Sequence, residues 1–169
     1  MGPGGDAVSN TIRRALFLVT SLAVLAVLGW SVRDFEALVN SGEVVLLQLA
    51  PADPRSLIQG DYMRLAYGLE RERIALDAPS GAIIIALDAR RIGSYRRVAG
   101  TPGTGELAFH VGSNAAGDGV LIEPHSFLFQ EGHAELYAQA RYGIFHVDRS
   151  GRHLLVGLAD TEARKIEPR

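Results

Sequence analysis

The sequence predicts a mainly β protein: an N-terminal single transmembrane helix followed by an antiparallel β-sandwich or partly closed barrel with one or two short helices. Two observations lead to this fold class. Near the N-terminus, Ala15–Val32 contains no charged residue. After residue 42, short segments rich in β-branched and aromatic residues are separated by turn sequences such as APSG, GTPGTG and GSNAAGDG. Many short strands joined by glycine-rich turns are typical of sandwiches and barrels.

The apolar stretch has the length of a membrane span. As a helix, Ala15–Val32 is about 27 Å long, close to the thickness of a bilayer core. Arg13 and Arg14 precede it, and Trp30 lies at its far end, where an indole favours the interface. The positive-inside rule then places the N-terminus in the cytoplasm. A buried core helix, a twin-arginine export signal and a cleaved signal peptide are the alternatives. The length of the stretch and the poor cleavage site at 29–31 favour an uncleaved signal anchor.

Changes in composition along the chain predict five segments. The first ten residues, MGPGGDAVSN, are small, polar and glycine-rich, which favours disorder. RDFEALVNS (33–41) can continue the helix for two turns, and Gly42 is a natural stop. The predicted segments are a disordered cytoplasmic tail (1–14), the transmembrane anchor (15–32), a helical linker (33–42), an extracytoplasmic β domain (43–160) and a polar tail (161–169).

Apolar runs between the turns predict the strands of the β domain. EVVLLQLA (43–50) suits a strand buried on both faces. MRLAYGL (63–69) alternates, which indicates a half-buried strand with Met63, Leu65, Tyr67 and Leu69 on one face. Further strands are predicted at 82–88, 93–99, 106–112, 119–124, 125–130, 133–148 and 153–160.

The connections between strands carry their own signals. Asp53 before Pro54 predicts one short helical turn, which Gly60 ends with a positive φ. DRSG (148–151) is typical of a hairpin turn. AELYAQAR (134–141) lies inside a predicted strand, but its composition also suits a helix.

Composition and motifs exclude several classes of function. The chain has 169 residues and a formal net charge of −2, so no basic excess is available to neutralise nucleic-acid phosphates. Cysteine is absent, which excludes disulfides and thiolate chemistry. GTPGTG (100–105) lacks the spacing of a phosphate-binding loop, and no GxSxG elbow occurs. No familiar metal-ligand spacing connects the histidines, which are His110, His125, His133, His146 and His153. We therefore expect no metal, cofactor or catalytic set.

The order of an anchor helix, a β domain and a proline followed by Gly-Asp-Tyr resembles type I signal peptidases. In that family, a serine three residues before such a proline is the nucleophile, and a lysine on a later strand is its base. Here the position three before Pro54 is Pro51, and the only lysine is Lys165, in the polar tail. Because both catalytic groups are missing, serine/lysine peptidase activity is not expected.

GDYMRLAY (60–67) fits the pattern G-D-Y-x-x-L-x-Y at every fixed position. With its flanks, LQLAPADPRSLIQGDY and FLFQEGHAELYAQARYGIFHVDRSGRHLLVGLAD, it identifies the chain as similar to the bacterial GDYXXLXY protein family over roughly residues 43–160. The resemblance implies a membrane-anchored protein. Because members of this family are often encoded near multi-pass membrane proteins, it also implies a complex with an integral membrane partner.

The motif divides into structural residues and candidate binding residues. Gly60 permits a turn and Asp61 can cap its amides, while Leu65 and Tyr67 point into the core, with the Tyr67 hydroxyl on a buried partner. The neighbouring side chains point to the other face, and tyrosine and arginine are frequent interface anchors. Glu131-Gly132 resembles a second turn of the same kind. The candidate binding or interface residues are Tyr62, Arg64, Asp53, Arg55, Glu131, Arg141 and Tyr142.

Three functional hypotheses result. The first is a non-enzymatic, single-pass protein of the bacterial inner membrane, whose β domain lies outside the cytoplasm and docks onto an integral membrane partner through the GDY turn. The second is a small-ligand domain for a carbohydrate or cell-wall fragment, which requires a concave apolar pocket beside Tyr62, Arg64 and Glu131. The third is a hydrolase that uses Asp61 and Glu131 as a carboxylate pair.

Overall fold

The computed structural model describes residues 5–50, 58–59, 62–74, 76, 80–98, 100–114 and 119–168. The chain divides into two compact units, Met1–Asn40 and Ser41–Arg169. The first unit contains the helix α1 (Gly5–Ser41) except for its last residue. Its stretch Ile12–Ser41 is long and apolar enough to cross a membrane. A signal sequence near an N-terminus can also meet this criterion of length and composition, so the uncleaved anchor and its orientation stay predictions.

The helix α1 is longer at both ends than the predicted anchor. It continues through residues 33–41 and ends directly before Gly42, as the sequence indicates. At the other end it begins at Gly5, so the prediction of disorder is wrong for residues 5–10. The reason is that no proline or glycine interrupts the chain between Asp6 and Leu28, and helical hydrogen bonding can extend backwards from the apolar span.

The second unit is mainly β, as predicted. Its described part contains a 3₁₀ turn (Gly68–Arg71) and a short helix α2 (Ala134–Tyr137). The strands are β1 (Glu43–Gln48), β2 (Ile58–Gln59), β3 (Tyr62–Arg64), β4 (Ser80–Leu87), β5 (Gly93–Val98), β6 (Glu106–Ser113), β7 (Val120–Leu121), β8 (Ser126–Leu128), β9 (Tyr142–Val147) and β10 (His153–Ala159).

The strands form three antiparallel sheets with the orders β1-β9-β10, β2-β3-β8 and β5-β4-β6-β7. A parallel bridge between Leu46 and Ile92 joins the first sheet to the last, and an antiparallel bridge between Leu49 and Tyr67 connects β1 to the chain after β3. The sheets curve into a half-barrel, which confirms the predicted fold class.

One apolar core fills the inside of the half-barrel. Phe145 on β9 lies at its centre, with ring centroids 5.6 Å from both Tyr67 and Phe109. The alternation predicted for residues 63–69 is confirmed, because every second side chain from Met63 to Leu69 is buried. The strand β1 has three consecutive buried residues, Val45 to Leu47, so both of its faces are covered at the middle.

Among the described residues, three tight turns with the same geometry connect or end strands. In each, an aspartate side chain accepts hydrogen bonds from the backbone amides two and four residues later. The fourth residue of each turn has a positive φ, at Arg91, Gly151 and Ala163. The predicted DRSG hairpin turn between β9 and β10 is one of these, and the aspartates are Asp88, Asp148 and Asp160.

Two predictions about the C-terminal half differ from the structure. The strand predicted from residue 133 begins only at Tyr142, because residues 134–137 form α2, in line with the helical composition of AELYAQAR. The residues predicted as a polar tail fold back onto β10, where the Ile166 amide donates to Leu158 O. The tail folds because Asp160 caps its turn and the apolar Ile166 packs against the core. The helical turn predicted after Asp53 lies outside the described residues.

Candidate functional site

The inward half of the GDYMRLAY stretch holds a distant part of the chain in place. Tyr67 is fully buried, and its hydroxyl donates to Pro124 O at 2.8 Å. One turn further on, the Glu70 carboxylate accepts hydrogen bonds from the Tyr67 amide (3.0 Å) and the Ile122 amide (2.8 Å). Residues 120–125, which we call the crossing segment, are therefore attached to the core through two side chains from residues 67–70.

Burial determines which group donates in the hydrogen bond between Tyr67 and Pro124. Burial, followed by the neighbouring Glu70 carboxylate, raises the pKa of Tyr67 far above its usual value. The phenol therefore stays protonated and acts as a hydrogen-bond donor to a carbonyl, which can only accept. Tyr67 and Leu65 are both buried in the core, and the Tyr67 hydroxyl also holds Pro124 O.

The outward half of the stretch lies on the sheet β2-β3-β8. In the register of β3 with β8, Tyr62 is opposite Leu128 and Arg64 is opposite Ser126. Opposed residues of an antiparallel pair share a face. Because Met63 is buried, these four side chains point away from the core, and Leu128 is 77% exposed. We call Tyr62, Arg64, Ser126 and Leu128 the motif face.

The structure brings only some of the predicted binding residues together. Glu131 is exposed in the turn that follows β8, one strand of the sheet that carries the motif face. Tyr142 begins β9 in another sheet, where it packs beside Leu46, and Arg141 directly precedes it. Four of the predicted residues lie outside the described residues, namely Asp53, Arg55, Gly60 and Asp61. Their roles stay predictions, as does the pairing of the Asp61 and Glu131 carboxylates.

A groove of about 860 Å³ opens at a different place, between β10 and the strands β6 and β7. We call it the seam groove. Its walls are mostly apolar, with Leu121, Leu154 and Leu155 among the lining side chains, and His110 and His153 also line it. Of the predicted binding residues that the structure describes, none contributes to its lining.

His153 forms part of the seam groove and reaches into the core. Its ring stacks on Phe109 with centroids 4.0 Å apart and meets Phe145 edge-on at 5.3 Å. Its Nε2 lies 3.2 Å from Glu123 O in the crossing segment. Because a carbonyl only accepts, Nε2 carries the proton and donates it. Burial lowers the pKa of His153, an effect to which nearby His110 adds and which the backbone of Glu123 and Gly151 opposes.

Among the described residues, no group of three or more histidine, aspartate or glutamate side chains is placed to hold a metal ion. The polar side chains that contact the crossing segment hydrogen-bond to backbone atoms. The sequence analysis missed Glu70 and His153, because their partners are 52 and 30 residues away and no local pattern signals such contacts.

The comparisons with known proteins give one result about the chain as a whole. Residues 24–158 match the family model described as GDYXXLXY protein. No curated protein and no solved structure matches the chain, so the remote likeness to type I signal peptidases has no support from these comparisons. The matched range covers the second half of α1, the motif and every described strand of the β domain except the last residue of β10. The chain belongs to the GDYXXLXY protein family.

Proposed function

We propose that this chain is a non-enzymatic, membrane-anchored protein whose β domain lies outside the cytoplasm and docks onto an integral membrane partner through the motif face. The observation that carries the proposal is the exposed Leu128 directly opposite Tyr62, with Arg64 beside them. A large exposed aliphatic residue next to tyrosine and arginine has the composition of an interface centre.

The motif stretch has residues that face the core and residues that face outward, and this division supports the same function. Leu65 and Tyr67 are used by the core, where Tyr67 holds the crossing segment. Tyr62, a fixed position of the motif, and its neighbour Arg64 point away from that core. A partner that covers this face would give both halves of the stretch a role. The apolar helix α1 supplies the membrane attachment.

The small-ligand hypothesis has less support. It requires a concave apolar pocket beside Tyr62, Arg64 and Glu131. The seam groove is lined by none of these three residues and opens between β10 and the strands β6 and β7. The seam groove is therefore not the pocket that this hypothesis requires.

Co-purification from membranes tests the proposal. The full chain with a C-terminal affinity tag is extracted in mild detergent, and co-purifying proteins are identified by mass spectrometry. We expect one multi-pass membrane protein at a stoichiometric level. Arg64→Glu and Leu128→Asp should each reduce its recovery by about tenfold, the loss typical of a central interface residue.

Two matched variants serve as controls. Arg149→Glu reverses an exposed arginine in the β9–β10 turn, and Val44→Asp places the same acid on an exposed apolar position of β1. Both should leave the recovery of the partner unchanged. A clean monomer in several detergents, or equal losses with the motif-face and control variants, would contradict the proposed function.

A further inference from the structure

One histidine connects β10 to the crossing segment across the seam groove. His153 is the first residue of β10, and its Nε2 donates to Glu123 O at 3.2 Å. From the other direction, two side chains of residues 67–70 attach the same segment to the core. The crossing segment is therefore held from two sides, and His153 supplies the attachment to β10.

The position of the His153 ring leaves no good place for a second proton. The ring stacks on Phe109 at 4.0 Å and meets Phe145 edge-on at 5.3 Å, so aromatic groups cover it. Because Nε2 already carries a proton, Nδ1 is the atom that is protonated in acid. Nδ1 is buried and makes no hydrogen bond to the described residues. A second N–H there would be a buried donor beside apolar groups, which is unfavourable.

The charged and titratable groups around the ring act in both directions. Burial has the largest effect and lowers the pKa of His153. Repulsion from His110 on β6 adds to this, whereas the Glu123 carboxylate and the Gly151 backbone act to raise the pKa. The Gly151 carbonyl already accepts the His110 amide at 2.9 Å. Arg152, which also lines the groove, is paired with the Asp148 carboxylate at 2.9 Å.

Acid has the opposite effect on the far side of the crossing segment. His125 is the last residue of this segment, and its Nδ1 lies 3.8 Å from the Glu70 carboxylate. A protonated His125 therefore forms an ion pair with Glu70, which strengthens the attachment to residues 67–70. Protonation of the two histidines thus favours one change, in which the segment leaves β10 and stays attached at Glu70.

We propose that His153 is a pH-sensitive latch: its neutral ring holds the crossing segment to β10, and its protonated ring leaves Phe109 and releases the segment, which widens the seam groove. The released ring turns into the groove, where the Glu123 carboxylate can accept its protons. The inference goes beyond docking and holds whatever binds the motif face. Because the crossing segment leads directly into β8, the latch also controls how firmly the motif face is supported.

Nuclear magnetic resonance of the histidine rings tests whether the ring leaves its stack. The full chain in detergent is titrated from about pH 7.5 to about 5, the range in which histidine gains its charge. At neutral pH, the ring current of Phe109 should hold the His153 ring protons upfield of their position in the unfolded chain. We expect this upfield shift to disappear in step with protonation of the ring, while the amide signals of β4 stay unchanged.

Thiol labelling tests whether the groove widens. The chain contains no cysteine, so one introduced thiol is labelled specifically. Leu155→Cys places it in the groove, and Val44→Cys places it on an exposed position of β1. The ratio of the two labelling rates removes the intrinsic pH dependence of thiol chemistry. Between about pH 7.5 and 5, this ratio should rise about two- to tenfold, as expected when one buried hydrogen bond is lost.

Two matched variants identify the responsible histidine. His153→Gln keeps an N–H donor but cannot take up a proton, so the labelling ratio should no longer depend on pH. His125→Gln makes the same replacement within the crossing segment and removes the opposing ion pair with Glu70. Its ratio should rise in acid at least as much as that of the protein with His125 intact.

The other outcomes overturn the inference. If the upfield shift persists after protonation, the imidazolium stays stacked on Phe109 and no latch opens. If the ring stays neutral until the whole chain unfolds, the histidine is a fixed core residue. A rise in the labelling ratio below about twofold, or an unchanged rise in His153→Gln, contradicts the proposed release. Should His153→Gln not fold, the titration of the unmodified chain still decides.

Discussion

Replacing Tyr67 with phenylalanine removes one hydroxyl and keeps the ring that packs against Phe145. The variant loses the hydrogen bond to Pro124 O, and a buried hydrogen bond contributes about 0.5–1.5 kcal/mol net. Pro124 is itself exposed, so its carbonyl can turn to water and adds little penalty. We therefore expect Tyr67→Phe to lower the free energy of unfolding by about 1 kcal/mol. Tyr67→Ala also empties the ring site and should cost about 3–5 kcal/mol.

Urea denaturation of the full chain in detergent, followed by near-ultraviolet circular dichroism of the tyrosines, measures these differences. Tyr95→Phe is the matched control, because Tyr95 is half-buried on β5 and its hydroxyl makes no hydrogen bond to the described residues. It should change the free energy of unfolding by less than about 0.5 kcal/mol. Equal effects of the two phenylalanine variants would refute the role assigned to the Tyr67 hydroxyl.

Three further predictions concern His153, Gly151 and the orientation of the chain in the membrane. Folding lowers the pKa of His153 below its ordinary 6.5, so the unfolded chain binds a proton on this imidazole at a higher pH than the folded chain does. The stability that the neutral His153 contributes is therefore intact above pH 6.5 and is lost as the pH falls below it. His153→Phe should flatten the dependence of the urea midpoint on pH. Gly151→Ala should lower the free energy of unfolding by at least about 1 kcal/mol more than Gly132→Ala does. Both positions have a positive φ, but only at Gly151 would the new methyl group lie 3.2 Å from backbone atoms of Ala108. Equal losses of stability in the two variants would contradict this close approach. A periplasmic reporter fused after Arg169 should be active, and activity of a cytoplasm-only reporter would overturn the predicted orientation.

The parts of the fold that depend on local pattern could be predicted from the sequence. Alternation between Met63 and Leu69 identified the buried face correctly, and the DRSG turn appears where Asp148 and Gly151 predict it. The start of α1 was predicted too late, because glycine-rich composition favours disorder while the neighbouring apolar span propagates the helix backwards.

The candidate site was less predictable, because it depends on contacts between distant parts of the chain. Nothing in the residues around Glu70 indicates that its carboxylate accepts the amide of Ile122. The sequence placed Arg141 and Tyr142 with Tyr62 by analogy of residue type, whereas strand order puts them in separate sheets. Residue type identifies what can bind, but sheet topology decides which side chains share a surface.

The two halves of the motif are mechanically connected, and this connection makes their roles separable by experiment. Tyr67 holds the crossing segment at Pro124, and the chain passes from there directly into β8, which carries Leu128. A loss at Tyr67 therefore disturbs the motif face through the fold. Tyr67→Phe should weaken docking only in proportion to its loss of stability. Arg64→Glu should weaken docking with the free energy of unfolding unchanged within about 0.5 kcal/mol, because Arg64 is exposed. If both variants instead lost docking and stability in the same ratio, the outward half of the motif would have a structural role only.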